Sequence, residues 1–136
     1  MKGQVVKVIS DRFFVEYDNQ VIVCKERGKL RNLKTLPLVG DFVLFNEEKQ
    51  VIEEILPRKN VIIRPNVSNI DQAFIITSFK NPDFSTNLLD KLLVQLEINS
   101  IKPVICLTKK DLISDDKYLE YKSILEYYES IGYLIV

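Results

Sequence analysis

Apolar and polar residues alternate along this chain with two different rhythms. In the front half, GQVVKVI (3–9), RFFVEY (12–17) and QVIVCK (20–25) are short runs rich in β-branched and aromatic residues. Asp18-Asn19 stands between the second and third runs as a hairpin signal. VGDFVLF (39–45) and KQVIEEIL (49–56) continue the pattern, with Gly28 and Gly40-Asp41 as punctuation. Five such strands in about 60 residues predict a small closed β-barrel of OB-fold size, whose closure removes free sheet edges. LPRKNVIIRPNVSN (56–69) has two prolines and no clear period, and reads as a linker.

The back half changes period. QAFIITSF (72–79) is a continuous apolar run, the pattern of a strand buried on both faces. NPDFSTN (81–87) reads as a loop, with Asn87 and Asp90 marking a helix start. Leu88, Leu89, Leu92, Leu93 and Leu96 then form one helical stripe. KPVICLT (102–108) is a second buried strand, and Ser114, Asp115 and Asp116 open the next helix with acids at its positive end. Gly132 is its stop, and YLIV (133–136) starts a third strand. The order β-α-β-α-β with short connections implies a parallel sheet. The fold class expected is therefore a β-barrel (OB-fold) over 1–65 followed by an α/β unit over 66–136.

Charge refines this division. The 136 residues carry 19 Lys/Arg and 19 Asp/Glu, but residues 1–65 hold 12 against 9 and residues 66–136 hold 7 against 10. The mildly basic front and mildly acidic back suggest two units with different partners. The amino terminus lacks the long apolar core of a signal peptide, and no apolar run approaches the ~20 residues of a membrane span. Cys24 and Cys106 lie inside apolar runs and read as buried free thiols of a reducing cytoplasm. Two Cys without paired spacing and no His argue against a metal site, and the missing imidazole removes mechanisms that need one as base.

The back half also carries candidate chemistry. Thr108, Lys109, Lys110 and Asp111 follow the second buried strand directly, at the carboxyl end where open α/β sheets bind ligands. A carboxylate fixed there accepts two hydrogen bonds from one planar edge. Guanine offers such an edge, with a ring N–H beside an exocyclic amine. Adenine does not, and would leave the carboxylate unpaired. The Lys109 stem can cover a base face, and the Thr108 hydroxyl can fix the loop or touch the base. The plainer reading is a solvated turn that caps a helix. No catalytic group is assigned, because no phosphate-cradling loop is present: Gly28 precedes Lys29, but Val23 and Leu30 stand where Gly and Ser/Thr belong. The apolar ending YLIV points to the front part of a longer protein.

A small barrel, VGDFV, ILPRKNVIIRPNVSNIDQAFII, NPDFSTNLLDKLLVQLE and KPVICLTKKDL, in this order, resemble the ribosome small-subunit-dependent GTPase A family. These are circularly permuted GTPases, in which the guanine-specificity element precedes the P-loop. The resemblance implies an OB-fold, the first part of a permuted G domain, and GTP hydrolysis in late maturation of the small ribosomal subunit. Thr108, Lys109, Lys110 and Asp111 match the family's Asn-Lys-x-Asp element, with Thr in place of the usual Asn. GTP with Mg2+ is the implied cofactor. Zinc is expected only in the family's carboxy-terminal domain, which has no counterpart in these residues. The implied partners are guanine nucleotide and the small subunit with its rRNA, and the protein is expected to be cytoplasmic, monomeric and free of membranes. These 136 residues alone are expected to be inactive.

CKERGKLRNLKTLP (24–37) places Lys25, Arg27, Lys29, Arg31 and Lys34 within ten residues, opposed only by Glu26. In an extended stretch, alternate spacing from 25 to 31 would put four cations on one face, a row suited to an RNA backbone. The bland alternative is a solvated loop. Phe13, Phe14, Tyr17, Phe42 and Phe45 read as barrel core, and Tyr118, Tyr121, Leu125 and Tyr128 as a helix face on the sheet. Two further readings remain at this point. One is a non-catalytic RNA-binding OB-fold module with a vestigial or truncated nucleotide fold. The other is an unrelated nucleotide-binding α/β protein.

Overall fold

In the computed structural model, which describes residues 1–136, the front strands are β1 (Lys2–Ile9), β2 (Arg12–Tyr17), β3 (Gln20–Glu26), β4 (Phe42–Asn46) and β5 (Val51–Ile55). They close into a barrel in the order β1-β2-β3-β5-β4, every pair antiparallel except β3 with β5. This is the OB-fold barrel that the strand count predicts. Asp18 and Asn19 both take positive φ (45° and 61°), the geometry a tight two-residue hairpin demands. Alternate residues of the strands point inward, so Val5, Phe13, Val15, Tyr17, Cys24, Val43, Phe45 and Ile52 form one core. Burying each large side chain of this kind contributes about 1.5–3 kcal/mol.

The aromatic expectation holds for three of five. Phe13, Tyr17 and Phe45 are buried, and the rings of Tyr17 and Phe45 meet edge-on at 4.9 Å. Phe14 and Phe42 lie outside instead, under the ammonium groups of Lys7 (5.4 Å) and Lys2 (5.2 Å). They occupy the outward phase of their strands, where the core cannot take them.

The segment read as a linker is ordered. Val61–Ile62 (β6) and Val67–Ser68 (β7) form a two-stranded antiparallel pair. Side-chain amides hold it: Asn60 bonds the Ile70 backbone at both N–H and C=O (2.6 and 2.7 Å), and Asn69 accepts from the Lys59 N–H at 2.9 Å. The chain divides into two compact units, Met1–Ile70 and Asp71–Val136.

The second unit contains β8 (Gln72–Ser78), α2 (Thr86–Ile98), β9 (Lys102–Thr108), α3 (Asp115–Ser130) and β10 (Leu134–Ile135). Its sheet is parallel with β9 in the centre, ordered β10-β9-β8. The Ser85 hydroxyl, not Asn87, caps α2 by accepting from the Leu88 N–H at 3.2 Å. Leu89, Leu93 and Leu96 are buried, whereas Leu88 and Leu92 face outward, so the stripe is narrower than the run of leucines suggests. Ser114 caps α3 as expected, and Gly132 (φ 104°) ends it. On α3, Leu125 and Tyr128 are buried, and Tyr118 and Tyr121 lie against the buried Phe79 at 6.0 and 5.6 Å. Within these 136 residues β8 is covered on one face. Ile75 is 7% exposed, but its neighbours Phe74 and Ile76 are 63% and 73% exposed. Cys24 is buried and Cys106 half-buried. No helix is long and apolar enough to cross a membrane.

Candidate functional site

The seven-residue register of β8 on β9 runs from Gln72–Lys102 to Ser78–Thr108, so both strands end at one level. There the Thr108 hydroxyl donates to the Thr77 carbonyl at 3.3 Å, fixing the strand tip. Lys109 follows in the left-handed region (φ 62°, ψ 33°), which turns the chain sharply off the sheet. A single 3-10 turn, Lys110–Leu112, then carries Asp111.

The three charged side chains diverge. The Lys109 ammonium donates to the Asn81 carbonyl, tying this loop to the one after β8. The Lys110 ammonium lies 4.0 Å over the Tyr118 ring, towards α3. Asp111 is exposed and its carboxylate has no hydrogen-bond or ion-pair partner. Both carboxylate oxygens therefore remain available to two parallel donors, the arrangement a guanine edge requires.

The loop at 81–87 was legible in the sequence, but its support of this tip was not. The Phe79 N–H donates to the Thr108 carbonyl at 3.2 Å, and the Ser78 hydroxyl donates to the Pro82 carbonyl at 2.7 Å. Phe79, Phe84, Tyr118 and Tyr121 interlock beneath it with ring separations of 5.5–6.0 Å. The signal available was SFKNPDF, which marks a loop but names no partner.

On the barrel the basic stretch is not extended. Gly28–Asn32 forms a helical turn (α1) that buries Leu30, so the alternating row of cations does not exist. Leu30 has an apolar pocket to fill, and a helical turn brings it there. Lys25, Arg27, Lys29, Arg31 and Lys34 are nonetheless all exposed. Arg31 pairs with Glu26 at 2.8 Å, and that hydrogen bond holds its guanidinium still more firmly charged.

Beside this loop lies a buried polar cluster that also went unread. Asp41, fully buried, accepts from Arg58 Nε and Nη2 at 2.7 Å each, from the Leu38 N–H at 2.7 Å, and from the Ser68 hydroxyl. The Asp41 hydrogen bonds raise the Arg58 pKa above the ordinary arginine value. Gly40, at φ 97°, lets β7 pass so closely that a Cβ would stand 2.0 Å from the Ser68 carbonyl oxygen. The cluster binds β6 and β7 to the barrel and has no free acceptor to offer a ligand.

No three His, Cys, Asp or Glu side chains converge in a way that could hold a metal. The magnesium and zinc that the resemblance implies have no such donor set among these residues.

Comparison with known proteins places these features in a group. Residues 2–52 match the RsgA N-terminal domain and residues 55–136 match the RsgA GTPase family. The small ribosomal subunit biogenesis GTPase RsgA of Latilactobacillus sakei is 48% identical over 135 residues, 96% of this chain and 45% of that protein. The protein of the same name in Enterococcus faecalis is 41% identical over the whole chain and 47% of its own length. Among solved structures, YloQ, described as a circularly permuted GTPase, superposes with a TM-score of 0.80 at 41% identity, over 98% of this chain and 50% of that one. YjeQ from Thermotoga maritima gives 0.84 at 36%, over 99% and 50%. The chain thus spans about half the length of the relatives it matches.

Proposed function

The chain belongs to the RsgA GTPase family, and from that premise we propose that it supplies two parts of a GTP-hydrolysing factor in small ribosomal subunit biogenesis. The parts are the barrel that meets rRNA and the element that selects guanine. In this reading Asp111 accepts the ring N–H and exocyclic amine of guanine. Lys109 lays its methylene stem along the base, Thr108 holds the strand tip, and Lys110 anchors the turn to α3. Lys25, Arg27, Lys29, Arg31 and Lys34 meet the phosphate backbone. The factor works in the cytoplasm as a monomer, with Mg2+ on the nucleotide phosphates and zinc confined to the family's carboxy-terminal domain. Phosphate contacts and hydrolysis belong to segments outside these 136 residues, which carry no P-loop. The relatives' names favour this over a non-catalytic RNA-binding module.

One observation carries the nucleotide reading: an unpartnered carboxylate, Asp111, exposed at the carboxyl end of the central strand of a parallel sheet. Asp111→Asn replaces an acceptor by a donor at the base edge. In a full-length protein containing this chain, the variant is expected to lose GTP affinity at least tenfold, the scale of a lost charge-assisted hydrogen bond, and to gain affinity for xanthosine triphosphate. Nucleotide titration checks it; unchanged GTP binding by the variant would remove guanine recognition from Asp111.

A further inference from the structure

Two large aromatic rings stand on the outside of the barrel, and each lies under an ammonium group. Phe14 sits beneath Lys7 at 5.4 Å and Phe42 beneath Lys2 at 5.2 Å. The position of Lys7 has a structural cause. Val5 faces the core opposite Val15, and strict alternation would turn Lys7 inward as well. A bulge at Val6 adds one residue to β1, so Lys7 emerges opposite Phe14 instead.

The register carries this face across three strands. Lys7 pairs with Phe14 and Phe14 with Val23, which makes one row. Arg12 and Lys25 adjoin the buried Phe13–Cys24 pair, so they take the outward phase beside that row, and both are exposed. Among the outward residues of β1, β2 and β3 the only carboxylate is Glu16. Towards β4, Gln4 pairs with Phe42 on one side and Glu16 on the other. Phe42, Lys2 and Gln4 line an open hollow of about 490 Å³ with Glu16 and Asp18. Those carboxylates repel phosphate and accept from base amines, so a base edge suits the hollow better than a backbone does. A polyanion with flat apolar faces satisfies the whole arrangement. Its bases take the ring faces from the ammonium groups, and Lys7 turns with Arg12 and Lys25 to its phosphates. A duplex cannot do this, because its bases are already stacked on one another. We infer that the outer face of β1–β3, with Phe42 beside it, is a stacking platform for single-stranded RNA that holds one unpaired base on Phe14 and another on Phe42. The inference rests on the reading of the barrel as an RNA-binding unit and adds base stacking to the backbone contacts of that reading.

The test uses the 136-residue chain and three probes: deca-adenylate, an abasic strand with the same ribose-phosphate backbone, and a short RNA duplex. By fluorescence anisotropy, deca-adenylate is expected to bind at least about tenfold more tightly than the abasic strand or the duplex, the scale of stacking a base on an aromatic ring. The ring resonances of Phe14 and Phe42 should move upfield as bases settle on them. Phe14→Leu should cost about tenfold for deca-adenylate and leave the abasic strand unchanged, while Phe14→Tyr retains the affinity. Lys7→Ala should weaken both strands and lower the salt slope by about 0.7, one phosphate contact on a single strand. The ring shifts of the wild-type chain keep the test decisive should a variant unfold. Equal binding of deca-adenylate and the abasic strand, with neither ring shifted, would overturn the platform and leave the barrel's RNA reading standing. Binding of no probe would overturn both. Tighter binding of the duplex than of deca-adenylate, or an Asp-Leu-Asp-Leu peptide that moves both rings while RNA moves neither, would assign this face to another partner and refute the inference.

Discussion

The barrel and the parallel sheet are made of similar strands, yet they dispose of their loose ends in opposite ways. The barrel returns β4 to β1 and pairs β3 with β5, so every strand has two neighbours and its large side chains divide between inside and outside. The part of the second sheet that these 136 residues supply has three strands and two edges, and it leaves Phe74, Ile76, Leu134 and Val136 more than half exposed. A closed sheet hides its apolar residues by geometry; an open one depends on what is laid over each face. Two carboxylates show the same contrast. The barrel's Asp41 is buried and held by Arg58, Ser68 and the Leu38 N–H, whereas the sheet's Asp111 stands unpartnered at a strand tip.

The strongest way to break the comparison is at the barrel's buried carboxylate. Asp41→Ala leaves Arg58, Ser68 and the Leu38 N–H without their acceptor. Losing one partner of a buried pair should destabilise the first unit by about 3–5 kcal/mol. Urea unfolding followed by amide resonances of each unit should show residues 1–70 melting early and residues 71–136 unchanged. In the sheet, Ile75→Ala empties a buried site and should cost about 2–4 kcal/mol in the second unit.

A smaller effect compares one tyrosine from each unit. The Tyr17 hydroxyl donates to Glu47 at 2.5 Å, and that hydrogen bond pushes its pKa up to about 12. Tyr128 donates to Asp90 at 2.6 Å, and burial, then this bond, raises its pKa further still. Each contributes stability that is fully present below pH 10, where the unfolded phenols begin to ionise. For Tyr17 that contribution fades as pH climbs from 10 towards 12; for Tyr128 the loss continues beyond. Stability measured across this range should fall in both units, and Tyr17→Phe should flatten the barrel's share. The smallest effect sharpens the contrast most: Ile76→Ser, one residue from Ile75, should change stability by no more than about 0.5 kcal/mol because its side chain already lies in water.

These residues also mark what could be read in advance. KPVICLT was legible to the residue as β9, because its apolar run ends abruptly in Thr-Lys-Lys-Asp. The same kind of run in β8 says that a strand tolerates cover on both faces, and these 136 residues supply cover for one. Ser85, Thr86 and Asn87 can all cap a helix, and only the packed register of α2 chooses Ser85. The strands β6 and β7 have two residues each, below any detectable period, and their order comes from Asn60, Asn69 and the Asp41 cluster, contacts far apart in sequence. Thr108–Asp111 could be found because that element is contiguous. The pairing of Glu26 with Arg31 could not, since it depends on a helical turn that one buried residue, Leu30, imposes.

The bond from Lys109 to the Asn81 carbonyl links two loops that leave the sheet side by side. A visitor seated against the lysine stem would press on both at once, so the rigidity of the segment after β8 becomes a reporter for occupancy at the neighbouring tip. Hydrogen exchange at Phe79–Phe84 can then register a base held several residues away by a carboxylate those residues never touch.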